Sequence, residues 1–209
     1  MEKVVKISCY FFRFHYLPFF LVIVGFLGLF PILFGTEFLE MEQAAFVVER
    51  IFTILGLVLF IPLYLPDSQK EILAVIRAKK TSYGTLLLIR FSQILFMLLA
   101  TLGIFLMILK VNQSQFDFWQ FFLAEFATVF FLGGLLNISY AFFHYMIPST
   151  MIAIMYYVLN MFSSKKYFGS FYLFTLAESD WWSKTLLFLV GFILLFSSIL
   201  LTTHQRTSV

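Results

Sequence analysis

The sequence predicts an all-α integral membrane protein of six transmembrane helices, with both termini cytoplasmic and an amphipathic cytoplasmic helix between spans two and three. Three observations predict it. Of 209 residues, 62% are hydrophobic and only 12% charged, with a mean hydropathy of +0.97. Soluble domains stop near about 45–50% apolar. Apolar runs recur six times between short polar connections, and the basic residues gather on alternate connections, as charges do when lipid separates two aqueous faces.

The lead-in, 1–15, mixes Lys3, Lys6 and Arg13 with apolar residues and only Glu2 opposing, which reads as a cytoplasmic segment skimming the membrane. No small-x-small cleavage site ends the run that follows, so an uncleaved first span is expected. That span is Tyr16 to Phe34, with Pro18 near its start and Pro31 near its end. Glu37, Glu40 and Glu42 form an acidic connection to the second span, Ala44 to Leu65. Next comes the most polar stretch of the chain, 66–80. Ser68 and Glu71 have the spacing of a capping box, Asp67 adds negative charge at the positive helix end, and Lys79 and Lys80 close the segment. Ile72, Val75 and Ile76 recur at helical spacing with Lys70, Ala74 and Arg77 on the other face. Such a helix, about 12 residues or roughly 18 Å, is too short and too charged to cross a bilayer. The third span is Thr85 to Leu109, with Arg90 expected to snorkel back to the surface. The fourth is Trp119 to Phe143, the fifth the short run 147–162, and the sixth Thr185 to Leu201, ahead of a polar tail, 202–209. The connection 163–184 carries aromatic stretches suited to an interface.

The charges orient the chain. With the amino terminus inside, the inner side holds Lys3, Lys6, Arg13, Lys70, Arg77, Lys79, Lys80, Arg90 and Arg206 against Glu2, Asp67 and Glu71. The outer side holds Arg50, Lys110, Lys165, Lys166 and Lys184 against Glu37, Glu40, Glu42, Glu49, Asp117, Glu178 and Asp180. Positive-inside bias makes the first side cytoplasmic.

Several activities are excluded by what the chain lacks. There is no Gly-Lys pair, hence no phosphate-binding P-loop, and no His-Glu-x-x-His zinc motif. A single cysteine, Cys9, permits neither an internal disulfide nor a cysteine-only metal cluster. A net charge of +3 gives no reason to expect nucleic acid, and the 31 phenylalanines read as lipid-facing bulk.

Polar groups inside apolar spans are costly and therefore candidates for function. Glu125 lies about six residues, or roughly 9 Å, into the fourth span, and Arg50 at a similar depth in the second. They either pair across a helix interface, lining a path, or reach separately to the outer headgroups. Gly133, Asn137 and Ala141 follow at four-residue spacing, with Gly134 and Ser139 beside them. Small residues so spaced allow close helix packing, with Asn137 placed to hydrogen-bond across it. Ser92, Gln93 and Asn160 are lesser candidates, and His144 reads as an interfacial residue. An intramembrane enzyme using Glu125 with His144 is disfavoured, because helical rise puts them more than about 25 Å apart.

IPLYLPD at the end of the second span, the charged helix with Glu71-Ile72, Arg77 and Lys79-Lys80, Arg90 opening the third span, FLGGLLNIS in the fourth and KKYFGSFYLF after the fifth carry a resemblance. Over nearly its whole length the chain resembles the permease subunits of ATP-binding-cassette transporters of the type-two exporter class, similar to small permeases of low-GC Gram-positive bacteria. The resemblance implies a half-transporter in the bacterial cell membrane, paired with itself or a sister permease on two copies of a separate ATPase. ATP and Mg would then be held by that partner, with no cofactor or metal on this chain and no catalytic residue. It also implies that 66–80 is a coupling helix, with Asp67, Glu71, Ile72, Ile76, Arg77, Lys79 and Lys80 facing the ATPase. The expected cargo is a peptide, a lipid or another amphipathic compound. In the family the connection before the last span often dips into the outer membrane face, and here Tyr167 to Trp182 holds that place. The competing expectation is a non-transporting membrane scaffold or peptide-immunity protein.

Overall fold

The computed structural model describes residues 12–64 and 83–207. The predicted coupling segment 66–80 lies outside the described residues, as does most of the lead-in. What is described is helical, and no strand occurs among the described residues. A wide turn, Phe12–Tyr16, leads into α1, Leu17–Phe34. α2 spans Met41–Leu63, α3 Tyr83–Val111, α4 Phe118–Phe143, α5 Met146–Phe162 and α6 Trp181–Thr207. α2, α3, α4 and α6 are long and apolar enough to cross a membrane, whereas α1 and α5 offer shorter apolar lengths.

Local chemistry places the helix ends. Asp117 begins α4 by accepting from the Gln120 N–H at 2.9 Å, satisfying one of the donors every helix start leaves open. The α2 start is braced by Glu40 N–H donating to Gln43 Oε1 at 3.3 Å. Pro62 falls where α2 tightens into a final 3₁₀ turn, Ile61–Leu63. α4 stops at His144, whose φ of 59° turns the chain and lets α5 fold back along α4 after a two-residue link. α4 and α5 thus form a helical hairpin.

Cross-contacts give the direction of each helix. Along α2 and α4, Thr53 meets Glu125, Gly56 meets Val129, Phe60 meets Gly133 and Tyr64 stacks on Tyr140 at 4.1 Å, so the two run parallel. Thr128 with Lys184 and Gly134 with Gly191 make α6 parallel to α4 as well. α3 runs the opposite way beside α2: Phe105 stacks on Phe52 near one end, and Arg90 Nη1 donates to the Leu63 carbonyl near the other. α1 runs with α3, since Phe30 meets Phe105 and Asn112 Nδ2 donates to Thr36 Oγ1. The helices therefore alternate in direction around α4, the most enclosed of the long ones. The turns at 35–40 and 112–117 and the connection 163–180 share one end of the bundle, joined by Phe38 N–H to Asn112 O at 3.0 Å and Gln120 Nε2 to Ser179 Oγ at 2.7 Å. Residues 64 and 83, which flank the undescribed segment, share the other.

Glycine decides how closely the inner helices approach. A Cβ on Gly134 would sit 2.8 Å from the Gly191 carbonyl oxygen, and one on Gly191 would sit 2.8 Å from the Phe131 Cα. Backbone thus lies against backbone between α4 and α6. Gly133 instead accommodates the ring of Phe60 from α2, and Gly56 the side chain of Val129. Gly133, Gly134 and the fully buried Ala141 all face protein.

Arg90 departs from expectation. It does not snorkel but is fully buried, with its guanidinium on the last carbonyl of α2, an orphan acceptor at a helix end.

Candidate functional site

Beneath the 163–180 connection, α2, α4 and α6 bring together the polar side chains Glu49, Thr53, Glu125, Thr128 and Lys184, all 4% exposed or less. Glu49 comes from a π-helical turn, Val48–Phe52, that widens α2. Such turns recur at functional sites because they re-aim side chains that a regular helix would space evenly. Glu125 and Thr128 come from the first turns of α4, and Lys184 from the first turn of α6.

The ammonium of Lys184 has three hydrogens and three acceptors: Glu49 Oε1 at 2.8 Å, Thr128 Oγ1 at 2.9 Å and the Leu173 carbonyl at 2.6 Å. Glu49 Oε1 also accepts the Leu176 N–H at 2.8 Å. A buried ion pair is tolerable only when its remaining hydrogen-bonding capacity is met in this way. The Thr53 hydroxyl, 2.7 Å from Glu125 Oε1, is also 2.6 Å from the Glu49 carbonyl, so one proton serves two acceptors. Glu125 Oε2 is buried without a hydrogen-bond partner, and so is Thr175 Oγ1 in the loop above. Beside Lys184 a small recess lined by Gln120, Ala124, Thr175, Leu176 and Trp181 has room for about one water.

The connection 163–180 is seated in the bundle. After one helical turn, Lys165–Phe168, and a 3₁₀ turn, Gly169–Phe171, it runs through fully buried Leu173 and Thr175 and nearly buried Leu176. Its backbone is held by α5 as well, through Leu173 N–H to Asn160 Oδ1 at 3.1 Å. At the rim Lys165 Nζ reaches Glu178 Oε2 at 2.6 Å and Asp180 Oδ2 at 2.8 Å. Hydrogen bonds donated to Asp180 and Glu178 push the Lys165 ammonium up to about 12. Asp180 is held below the usual carboxylate range, first by Lys165 and then by Ser183.

The structure does not join Arg50 to Glu125. Arg50 lies over the rings of Phe46, at 4.2 Å, and Phe174, at 5.6 Å, while its carbonyl accepts the Tyr157 hydroxyl. A cation stacked on aromatic faces is held there without a carboxylate. Glu125 does not reach to the headgroups either, since it is fully buried. The lysine that meets a buried carboxylate is Lys184, tallied from sequence as an outer surface charge. Asn137 donates within its own helix, to Gly133 O at 2.6 Å, and not across the contact; Ser139 does the same toward Leu135 O. Asp67, Glu71, Ile72, Ile76, Arg77, Lys79 and Lys80 lie outside the described residues. Ser92 is bonded to the Ile89 carbonyl, and exposed His144 meets Gln205 Oε1 at 3.0 Å. Among the described residues no group of His, Cys, Asp and Glu is arranged to hold a metal.

Sequence reasoning missed Glu49, Thr53, Thr128 and Lys184 as one site, although a signal was present. Glu49 with Thr53 and Glu125 with Thr128 fall at i,i+4 and i,i+3, so each pair shares one face of an otherwise apolar helix. Two such faces call for a cation between them. No protein-family model, curated protein or solved structure matches the chain in the comparisons made.

Proposed function

We propose that this chain is the multi-pass permease subunit of an ATP-driven exporter in a bacterial plasma membrane, with all six helices spanning and both termini cytoplasmic. A separate ATPase, carrying ATP and Mg, docks on 66–80, and a second permease, identical or related, completes the transporter. The observation that carries this reading is the Glu49–Lys184 pair with Glu125 inside an apolar helical bundle. Ionisable groups enclosed within an apolar bundle are costly to place there, and they persist where they line a path or bind a ligand. The sequence resemblance supports the same reading, as do residues 64 and 83, which lie at the end of the bundle opposite the cluster. Nucleotide-driven movement of an ATPase against 66–80 would tilt α2 and α3, and α2 carries Glu49 and Thr53.

A pull-down in mild detergent tests it. The intact chain is compared with a variant in which Glu71, Arg77, Lys79 and Lys80 are alanine, and ATPase activity is assayed on what co-purifies. The expected result is an ATPase with the intact chain that is lost or uncoupled in the variant. A well-folded chain that retains no ATPase overturns the reading. The second reading, a non-transporting membrane scaffold or peptide-immunity protein, draws on the seated loop, because the cluster grips main-chain groups of that loop.

A further inference from the structure

We propose that the Glu49–Lys184 cluster is a binding seat for peptide backbone, occupied in this structure by the chain's own Leu173–Leu176 stretch acting as a displaceable plug. This deepens the peptide branch of the transport reading and rests on that reading only for what happens after binding. The seat's chemistry is that of a main chain. Lys184 donates to the Leu173 carbonyl, Asn160 accepts the Leu173 N–H, and Glu49 accepts the Leu176 N–H. One cation, one amide and one carboxylate, on three different helices, thus each address a backbone group. Lys184 and Glu49 are buried and already paired with each other. They therefore turn their remaining hydrogen-bonding capacity on the loop, and the loop cannot leave without a substitute that offers the same groups. Lipid tails offer none, whereas a peptide offers all of them.

Further observations mark the loop as displaceable. Thr175 Oγ1 makes no hydrogen bond to protein and lines, with Gln120 and Lys184, a recess with room for about one water, so this side chain adds nothing to the loop's hold on the bundle. The rim contact that holds the loop is also weak by nature. Lys165, Glu178 and Asp180 are partly solvent-exposed, and exposed ion pairs contribute little and are screened by salt.

The test uses the purified full-length chain in nanodiscs, without ATPase or nucleotide, and a fluorescent peptide with the sequence of residues 171–178, FYLFTLAE. Three proteins are titrated: the native chain, Lys165→Ala, and a chain in which 171–178 is replaced by a Gly-Ser linker of equal length. Affinity is expected to rise roughly two- to fivefold in Lys165→Ala, the range set by loss of an exposed ion pair, and further in the linker chain. In the linker chain, Glu49→Gln with Lys184→Met is expected to lose at least about tenfold, the worth of hydrogen bonds to charged groups. A peptide N-methylated at the two leucine positions equivalent to Leu173 and Leu176 should lose a similar factor, while mere partitioning into lipid would be unaffected. The proposal is overturned if the folded linker chain binds no peptide, or if it binds native and N-methylated peptides alike. Peptide binding by a chain that retains no ATPase leaves this inference standing and removes the transport reading. ATPase association without peptide binding does the reverse.

Discussion

Lys184 shows how a residue read as a surface charge becomes a structural keystone. Its three hydrogens tie α2, α4 and the loop to α6, so Lys184→Met leaves the buried Glu49 carboxyl without its cation. Removing one partner of a buried pair costs about 3–5 kcal/mol, whereas replacing both with apolar or neutral groups is often close to neutral. Thermal unfolding in detergent should therefore show Lys184→Met well below the native chain and the double variant Glu49→Gln/Lys184→Met recovering most of the loss. Glu125 should behave differently. Its Oε2 has no partner, and the Thr53 hydroxyl keeps the Glu49 carbonyl if Glu125 is replaced. Glu125→Leu is expected to change stability by less than about 1 kcal/mol in the same assay, since deleting an incompletely satisfied buried group costs little. A larger loss would make Glu125 a structural residue. Glu125 was visible in the sequence because it stands alone in a long apolar run. Lys184 was not, because a lysine at a predicted span boundary is ordinarily exposed, and only the folding back of the loop that precedes it encloses it.

Helix existence was the most legible feature of the elements, for a physical reason: an apolar run in lipid has no option but helix, since its backbone groups must satisfy one another. α6 nevertheless extends well past the predicted Thr185 to Leu201, to Trp181–Thr207, because polar residues in its end turns are held by α4 and the loop and need not mark a boundary. Close approach was half legible. The Gly133-Gly134 pair signalled it, but its counterpart Gly191 was unremarkable in sequence. Gly191→Ala should cost about 1–3 kcal/mol through overpacking against the Phe131 backbone. Gly28→Ala, where nothing lies within 4 Å, should be neutral or stabilising by up to about 1 kcal/mol from helix propensity. Unfolding of the two variants side by side checks this, and equal effects would remove the glycine contact as the determinant of the α4–α6 approach. The connecting loop gives a pH prediction. Asp180 is shifted down from 3.8, so its contribution is present above that value and lost as pH falls further. Lys165 is raised from 10.5 to about 12, so its contribution is present below 10.5 and lost as pH rises toward 12. The difference in melting temperature between the native chain and Lys165→Ala should hence stay constant across neutral pH and shrink only outside that window. A difference that changes between pH of about 5 and 9 would mean another group sets the clasp.

For the whole molecule, the proposed orientation draws on charge and geometry together. The end that carries the turns at 35–40 and 112–117 and the loop 163–180 is the end to which the sequence assigns Arg50, Lys110, Lys165, Lys166 and Lys184 against Glu37, Glu40, Glu42, Glu49, Asp117, Glu178 and Asp180. Burial sharpens the asymmetry, because Lys184 and Glu49 neutralise each other inside the protein, leaving four basic against six acidic residues at that end. Basic residues are what hold a connection in the cytoplasm, so on the proposed reading the end that is short of them is the translocated one. The parallel run of α2, α4 and α6 requires the starts of all three to lie on the same side. Cysteines introduced singly at Gln115 and Ser179, after Cys9→Ser, should therefore react in intact cells with a membrane-impermeant maleimide. A cysteine at His204 should react only after permeabilisation. Labelling of Gln115 and Ser179 from opposite sides would break the alternating six-span arrangement, because the Gln120–Ser179 hydrogen bond places both at one end. Labelling of all three in the inverse pattern would keep the bundle and reverse the protein in its membrane, placing the peptide seat on the cytoplasmic face, where a receptor for internal peptides, not an exporter's outlet, would need it.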